Sequence, residues 1–188
     1  MLFSLLRSPV FATAALLAST VAYADMTGTA SVVDGDTIEV HDQAIRLHGI
    51  DAPESRQTCT AEGKPWRCGQ KAALALADKI GRRPVTCRER DRDRYERVVA
   101  VCSVGEIELN GWLVREGWAM AYRKYSLDYV PAENAARAEK RGIWKGEFDP
   151  PWEWRKAQRQ GTSPSDPSPP GCAIKGNING DGQRIYHV

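Results

Sequence analysis

The 188-residue chain lacks a dominant charge sign: 26 Lys and Arg oppose 24 Asp and Glu, for a formal net charge of +2. Bulk charge therefore announces no nucleic-acid partner, and any such argument rests on where the charges sit. Long apolar runs are also missing, since a spanning helix needs about 20 strongly apolar residues, so a polytopic membrane protein is excluded. None of the five cysteines stands in a C-x-x-C spacing or beside a pair of histidines, which argues against a thiolate metal site. What is present, 42% hydrophobic and 27% charged residues, suits a soluble globular chain and excludes collagen-like, coiled-coil or wholly disordered ones.

The two ends differ from the middle. Arg7 is the only charge before Asp25, and an Ala- and Leu-rich run from Val10 to Val21 ends at Ala22-Tyr23-Ala24, a small-x-small cleavage pattern. Residues 1–24 read as a secretory signal peptide. The mature protein is then expected to be secreted or periplasmic, without stable membrane insertion, and to act as a monomer. No Cys follows the apolar run, so a lipoprotein anchor is not expected. Residues 161–171, G-T-S-P-S-D-P-S-P-P-G, have neither helix nor strand pattern and form a Pro/Ser-rich linker. This leaves a globular domain over 25–160 and a small tail module over 172–188. In the tail, Asn177 to Gly182 imitates the start of a calcium loop, but its first position is Asn and its twelfth is Val188 rather than Glu, and a turn is the better reading.

An exported chain permits disulfides. Cys87 and Cys102 each sit in a Val-rich segment, and two strands folded symmetrically about Arg94-Tyr95 put them opposite each other. Cys59 and Cys68 bracket a Gly- and Pro-containing loop and make the natural second pair, which leaves Cys172 over.

From Thr27 to Ile50, short alternating runs break at Asp34-Gly35-Asp36 and at His41-Asp42-Gln43, which predicts a three-stranded meander. Ala73, Leu76, Ala77 and Ile80 repeat at helical spacing over Gly69–Ile80. Asn110 is expected to cap a short helix ending at Gly117, and a third helix runs from near Pro131 to Gly142 with Glu133 and Arg137 as an i, i+4 pair. The pattern suggests an α+β fold, a small five-stranded OB-type Greek-key barrel with three helices.

The residues that carry chemistry lie in three blocks: V-V-D-G-D-T-I from Val32, R-L-H-G-I-D-A-P-E from Arg46 and D-R-Y-E-R from Asp93. Singly, each has an ordinary explanation, because D-G-D is turn composition and Arg97 fits an exposed hairpin. Together, acids at two neighbouring turns and an arginine five residues before the second can converge on one barrel edge. Two carboxylates with a backbone carbonyl suit a hard cation such as Ca²⁺, and paired arginines suit bidentate gripping of a phosphate.

At these blocks the sequence resembles the staphylococcal nuclease (thermonuclease) family over about Thr27 to Trp144. The resemblance implies an OB-type barrel and a calcium-dependent nuclease acting on DNA and RNA with little sequence preference, leaving 3′-phosphate ends. It implies Asp36, Asp51 and the Ala52 carbonyl as Ca²⁺ ligands, and Arg46 and Arg97 as phosphate-binding arginines. Glu54 falls on the carboxylate that activates or orients water, and Arg94, Tyr95, Tyr122 and Tyr125 fall where the family contacts nucleotide. Two positions depart from the family: Ala52 replaces a threonine, and Glu96 stands where glycine is usual, free to pair with Arg97 or to repel phosphate.

Arg82 to Arg97 holds seven arginines and four acids, either a solvated surface or a source of sequence-blind phosphate attraction. The tyrosines either stack bases or pack in the core. Because barrels of this class also bind oligonucleotides without cutting, a non-catalytic envelope protein that binds nucleic acid is the alternative reading.

Overall fold

A computed structural model describes residues 25–161 and the backbone of two short strands, Lys175–Ile178 and Arg184–His187. The proposed signal peptide, the linker beyond residue 161 and Cys172 lie outside the described residues.

Strand β1 (Met26–Gly28) is followed by the expected meander of β2 (Ala30–Val32), β3 (Thr37–Val40) and β4 (Gln43–Leu47). Its register pairs Val32 with Ile38 and Ile38 with Ile45, so the β-branched residues share the inner face. Next come β5 (Ile50–Asp51), β6 (Cys59–Ala61), β7 (Lys64–Trp66) and helix α1 (Cys68–Ile80), which buries Ala72, Leu76 and Ile80 at four-residue intervals. This crossover lets β4 pair in parallel with β9 (Val98–Val104), which is antiparallel to β8 (Val85–Arg92). Short β10 (Ile107–Glu108) pairs antiparallel with the end of β9, and the remaining order is β1-β8-β9-β4-β3-β2. The sheet curls until its β1 edge approaches the β3–β4 turn, where the His41 ring lies 3.0 Å from the Thr27 carbonyl. The expected α+β, OB-type architecture is what the chain adopts, with the meander and the β8–β9 hairpin as its five principal strands. Ile38, Ile45, Leu47, Ala100, Leu109 and Leu113, all nearly inaccessible, fill the interior.

Both expected disulfides form, Cys59–Cys68 and Cys87–Cys102. The second joins directly paired residues of β8 and β9, with a register irregularity between Glu89 and Asp91 further along. Replacing Cys87 and Cys102 together by Ser is expected to lower the unfolding free energy by about 3 kcal/mol, the entropy of releasing a loop of this length. A matched thermal melt should register this as a fall of roughly 10 °C.

Three helices follow the pattern of the sequence and one does not. Helix α2 (Leu109–Arg115) is capped by Glu108, whose carboxylate accepts from the Gly111 N–H, rather than by Asn110. Asn110 is instead buried: its amide donates to the His48 and Ala100 carbonyls and accepts from the Cys102 N–H, pinning α2 to the barrel. After β11 (Met120–Ala121) comes α3 (Val130–Ala138), with Pro131 in its first turn. Glu133 does not pair with Arg137. It is fully buried, accepts from the Ala121 N–H and is ion-paired to Arg123, while Arg137 stacks over Trp144. Beyond a 3-10 turn at Gly142–Lys145, a fourth helix, α4 (Pro151–Arg159), was not expected. Strands β12 (Lys175–Ile178) and β13 (Arg184–His187) form an antiparallel hairpin within the tail. Among the described residues, no helix is long and apolar enough to cross a membrane.

Candidate active site

Three turns of the barrel meet at one edge. Asp36 ends the β2–β3 turn, where the Asp34 carboxylate accepts its backbone N–H. Arg46 lies in β4 opposite Thr37, and the adjacent Leu47 N–H donates to the Asp36 carbonyl, which fixes the two strands side by side. Asp51 ends β5, paired with Met120 of β11, and the loop after it carries Ala52 and Glu54. Helix α1 presses against that loop so closely that a Cβ at Gly69 would collide with the Glu54 carbonyl oxygen. Only glycine permits this approach.

One nitrogen joins the acids. Arg46 Nη2 donates to Asp36 Oδ2 at 3.1 Å and to Asp51 Oδ1 at 2.8 Å. Asp36 Oδ2 also accepts the Ala52 N–H at 3.1 Å, which binds the loop to the first turn. Both acids are withdrawn from solvent, with side-chain exposures of 6% for Asp36 and 0% for Asp51. Burial pushes the Asp36 carboxyl above the usual carboxylate range against the pull of Arg46, and the Asp51 charge pushes in the same direction. Burial likewise raises Asp34, helped by Asp36. For Arg46, burial favours loss of its proton, but Asp36 and Asp51 outweigh it and hold the guanidinium charged.

A residue the sequence reading missed completes the cluster. Arg155 of α4 grips Asp51 with both terminal nitrogens, Nη1 to Oδ1 at 3.0 Å and Nη2 to Oδ2 at 2.7 Å, and Nη1 also donates to Glu54 Oε1 at 2.7 Å. Buried Gln57 places this helix: it holds the Glu54 N–H with its own amide oxygen and donates to the Asp149 carbonyl at 2.6 Å, just ahead of α4.

Thus Asp36, Arg46, Asp51, Ala52 and Glu54 converge as the sequence predicts. Arg97 makes no bond to them; its guanidinium is engaged by Asp93 at 2.6 Å, at the tip of the β8–β9 hairpin. Burial would raise Asp93, but its bonds from Arg97 and from the Tyr95 and Arg97 N–H groups hold it below the ordinary carboxylate range. The β4–β9 register does put Arg97 on the same sheet face as Arg46, because Arg46 is opposite Val99 and side chains alternate. Glu96 neither pairs with Arg97 nor sits at ease: it occupies the left-handed region at φ 61°, where glycine is favoured.

Arg94 and Tyr95 share that hairpin tip. Tyr95 is 68% exposed, with the Arg94 and Arg97 guanidiniums 5.2 and 5.7 Å from its ring centre. Tyr122 lies nearer the carboxylates, its N–H donating to the Gly49 carbonyl, edge-on to the exposed Tyr125 and stacked on Trp152 at 5.6 Å. A depression of about 280 Å³ opens beside Tyr122 and Trp152, with Arg123 and Lys124 at its rim. A wider cavity of about 680 Å³ between α2 and α3 contains none of the predicted site residues.

The donor set fits a hard divalent cation. Asp36, Asp51 and Glu54 supply more negative charge than Arg46 and Arg155 neutralise, and the raised Asp36 carboxyl is one that a cation would relieve. Among the described residues no group of three or more Asp, Glu, His or Cys side chains stands as a ready-made cage, and each of these carboxylates already carries a guanidinium.

Comparison with known proteins identifies the family. The family described as "Staphylococcal nuclease homologue" matches residues 44–146. The chain is 38% identical to the succinoglycan biosynthesis protein ExoI of Rhizobium meliloti over 124 residues, 64% of this chain and 65% of that protein. It therefore spans just under two thirds of that relative. It is 34% identical to the micrococcal nuclease of Shigella flexneri over 176 residues, 82% of this chain and 94% of that protein. With an endonuclease of Haemophilus influenzae it shares 31% identity over 137 residues, 68% of this chain and 71% of that one. The chain, matched by this family over more than half its length, belongs to the staphylococcal nuclease family.

Proposed function

We propose that this protein is a secreted or periplasmic, calcium-dependent nuclease that hydrolyses phosphodiester bonds of DNA and RNA with little sequence preference. The observation that carries the reading is Arg46 Nη2 held between Asp36 and Asp51. That geometry fixes a guanidinium beside carboxylates suited to a cation, and the similarity to nucleases named above supports the same chemistry. The two disulfides and the signal-like start favour export.

Each residue has a role its chemistry allows. Arg46, joined by Arg97 once Asp93 yields it, grips the equatorial oxygens of the phosphate as charge builds on five-coordinate phosphorus. Glu54 accepts or orients the proton of the attacking water, help worth about 10²–10⁴-fold for a well-placed base. The bond from phosphorus to the 5′ oxygen breaks, that oxygen takes up a proton from solvent to leave as a 5′-hydroxyl, and a 3′-phosphate remains. Asp36, Asp51 and the Ala52 carbonyl are the groups that would hold Ca²⁺, whose contribution when bound is Lewis-acid stabilisation of that charge. Tyr95, Tyr122, Tyr125 and Arg94 line the approach and hold bases by stacking and charge.

The test incubates purified mature protein with plasmid DNA and with RNA, first in Ca²⁺ and then in EGTA. Cleavage of both substrates, lost on chelation and restored by calcium, is the expected result. Binding without cleavage would instead favour the non-catalytic module.

A further inference from the structure

The family match ends at residue 146, yet the side chain most deeply engaged with the acids after Arg46 comes from position 155. Arg46 Nη2 and Arg155 Nη1 both bond the same atom, Asp51 Oδ1, so they lie no further apart than those two bonds together allow. Two like charges are thus forced together, and Arg155 opposes the protonation of Arg46. Such a pair is stable only around anions. Burial alone would also work against the Arg155 charge, but Asp51 and Glu54 overcome it and raise its pKa above the ordinary arginine value.

The two partners of Arg155 differ. Asp51 is fully buried and holds both terminal nitrogens, while Glu54 is 32% exposed and holds one by a single bond. Arg155 itself keeps 26% of its side chain in solvent. The helix that carries it is fixed at two points: its start by Gln57, and its rotation by Trp152, three residues earlier, stacked on Tyr122 with 2° between the rings. The Nη1–Glu54 bond is therefore the one a solvent-borne anion can replace without moving the backbone. A phosphate oxygen suits that nitrogen as well as a carboxylate oxygen does.

Resting on the nuclease reading above, we propose that Arg155 is a substrate-gripping residue that exchanges Glu54 for a phosphate oxygen of the nucleic acid while staying anchored on Asp51. Phosphate binding and release of the Glu54 carboxylate are then a single event. Without nucleic acid, Glu54 remains neutralised by Arg155; with it, the carboxylate is freed beside the phosphate that needs it. Three guanidiniums, not two, then serve the phosphate site, and the third comes from a helix outside the matched family segment.

The test measures binding of a dye-labelled oligothymidine single strand in EGTA across a range of salt, for wild type, Arg155→Ala, Arg155→Lys and Arg159→Ala, each with a thermal melt. Loss of one phosphate contact should reduce the log–log salt slope of Arg155→Ala by about 0.7 and weaken low-salt binding roughly tenfold. Arg155→Lys, which keeps the charge and guards against misfolding, should retain the slope but cut slowly in calcium. Arg159→Ala removes an exposed charge from the same helix and should leave the slope unchanged. If Arg155→Ala binds with wild-type slope and affinity, or if Arg159→Ala lowers the slope equally, Arg155 is only a structural pin and the proposal is overturned. Wild type that binds and cuts beside such a variant leaves the nuclease reading standing; wild type that does neither overturns both.

Discussion

Arg46→Lys is expected to slow plasmid cleavage by about 10²–10³-fold while the protein stays folded. The side chain does two jobs through one group. Nη2 neutralises Asp36 and Asp51, and the rest of the planar guanidinium, unbonded among the described residues, is what the proposed function assigns to the phosphate. Lysine can sit between the acids as a point charge but cannot offer the fork that matches two phosphate oxygens. Arg46→Ala is the less informative change. It leaves a 6%-exposed and a 0%-exposed carboxylate close together with one fewer cation, so stability falls along with activity. Initial rates in calcium, with melting curves of both variants, separate the two effects. A wild-type rate for Arg46→Lys would falsify the phosphate-gripping role.

Asp51→Asn should be still more damaging, because it strikes folding and chemistry at once. Asp51 accepts three bonds from two arginines and has no contact with water. An amide has one acceptor oxygen for those donors and turns its NH₂ toward a guanidinium. Breaking a buried pair by removing one partner costs about 3–5 kcal/mol, a large part of the 5–15 kcal/mol that holds a typical domain together. Cleavage should become undetectable, and the melting temperature should drop by roughly 10 °C or more. A variant that melts like wild type would show that Asp51 is not the hub of the site.

What the sequence revealed and what it concealed follow from how local each feature is. The meander, the position of Cys87 opposite Cys102, and the convergence of Asp36, Arg46, Asp51 and Glu54 all depend on short-range period and turn placement, and they stand as expected. Asn110 looks like a cap because it is a polar residue ahead of an apolar stripe, whereas in the fold three backbone groups take up its amide. The i, i+4 spacing of Glu133 and Arg137 suggests a pair but does not tell which face of α3 meets the barrel, and Glu133 is on the buried one. Helix α4 had a legible start in Pro150-Pro151, with Glu153 in the first turn and basic residues in the last. Its amphipathic face places Trp152 and Arg155 together, a signal that points to a packed helix. Nothing local could tell that Arg155 would meet Asp51, 104 positions earlier.

That separation bears on the order in which the protein becomes complete. A chain folding from its N-terminus can pair β4 with β9 and β5 with β11, and so set Asp36, Arg46 and Asp51 in place, before the segment bearing residue 155 docks. Until then, Asp51 and Glu54 have no cation from the far end, and the unfinished barrel carries surplus negative charge where a polyanion must dock. On the proposed reading, a chain that has not yet docked α4 should thus bind nucleic acid poorly.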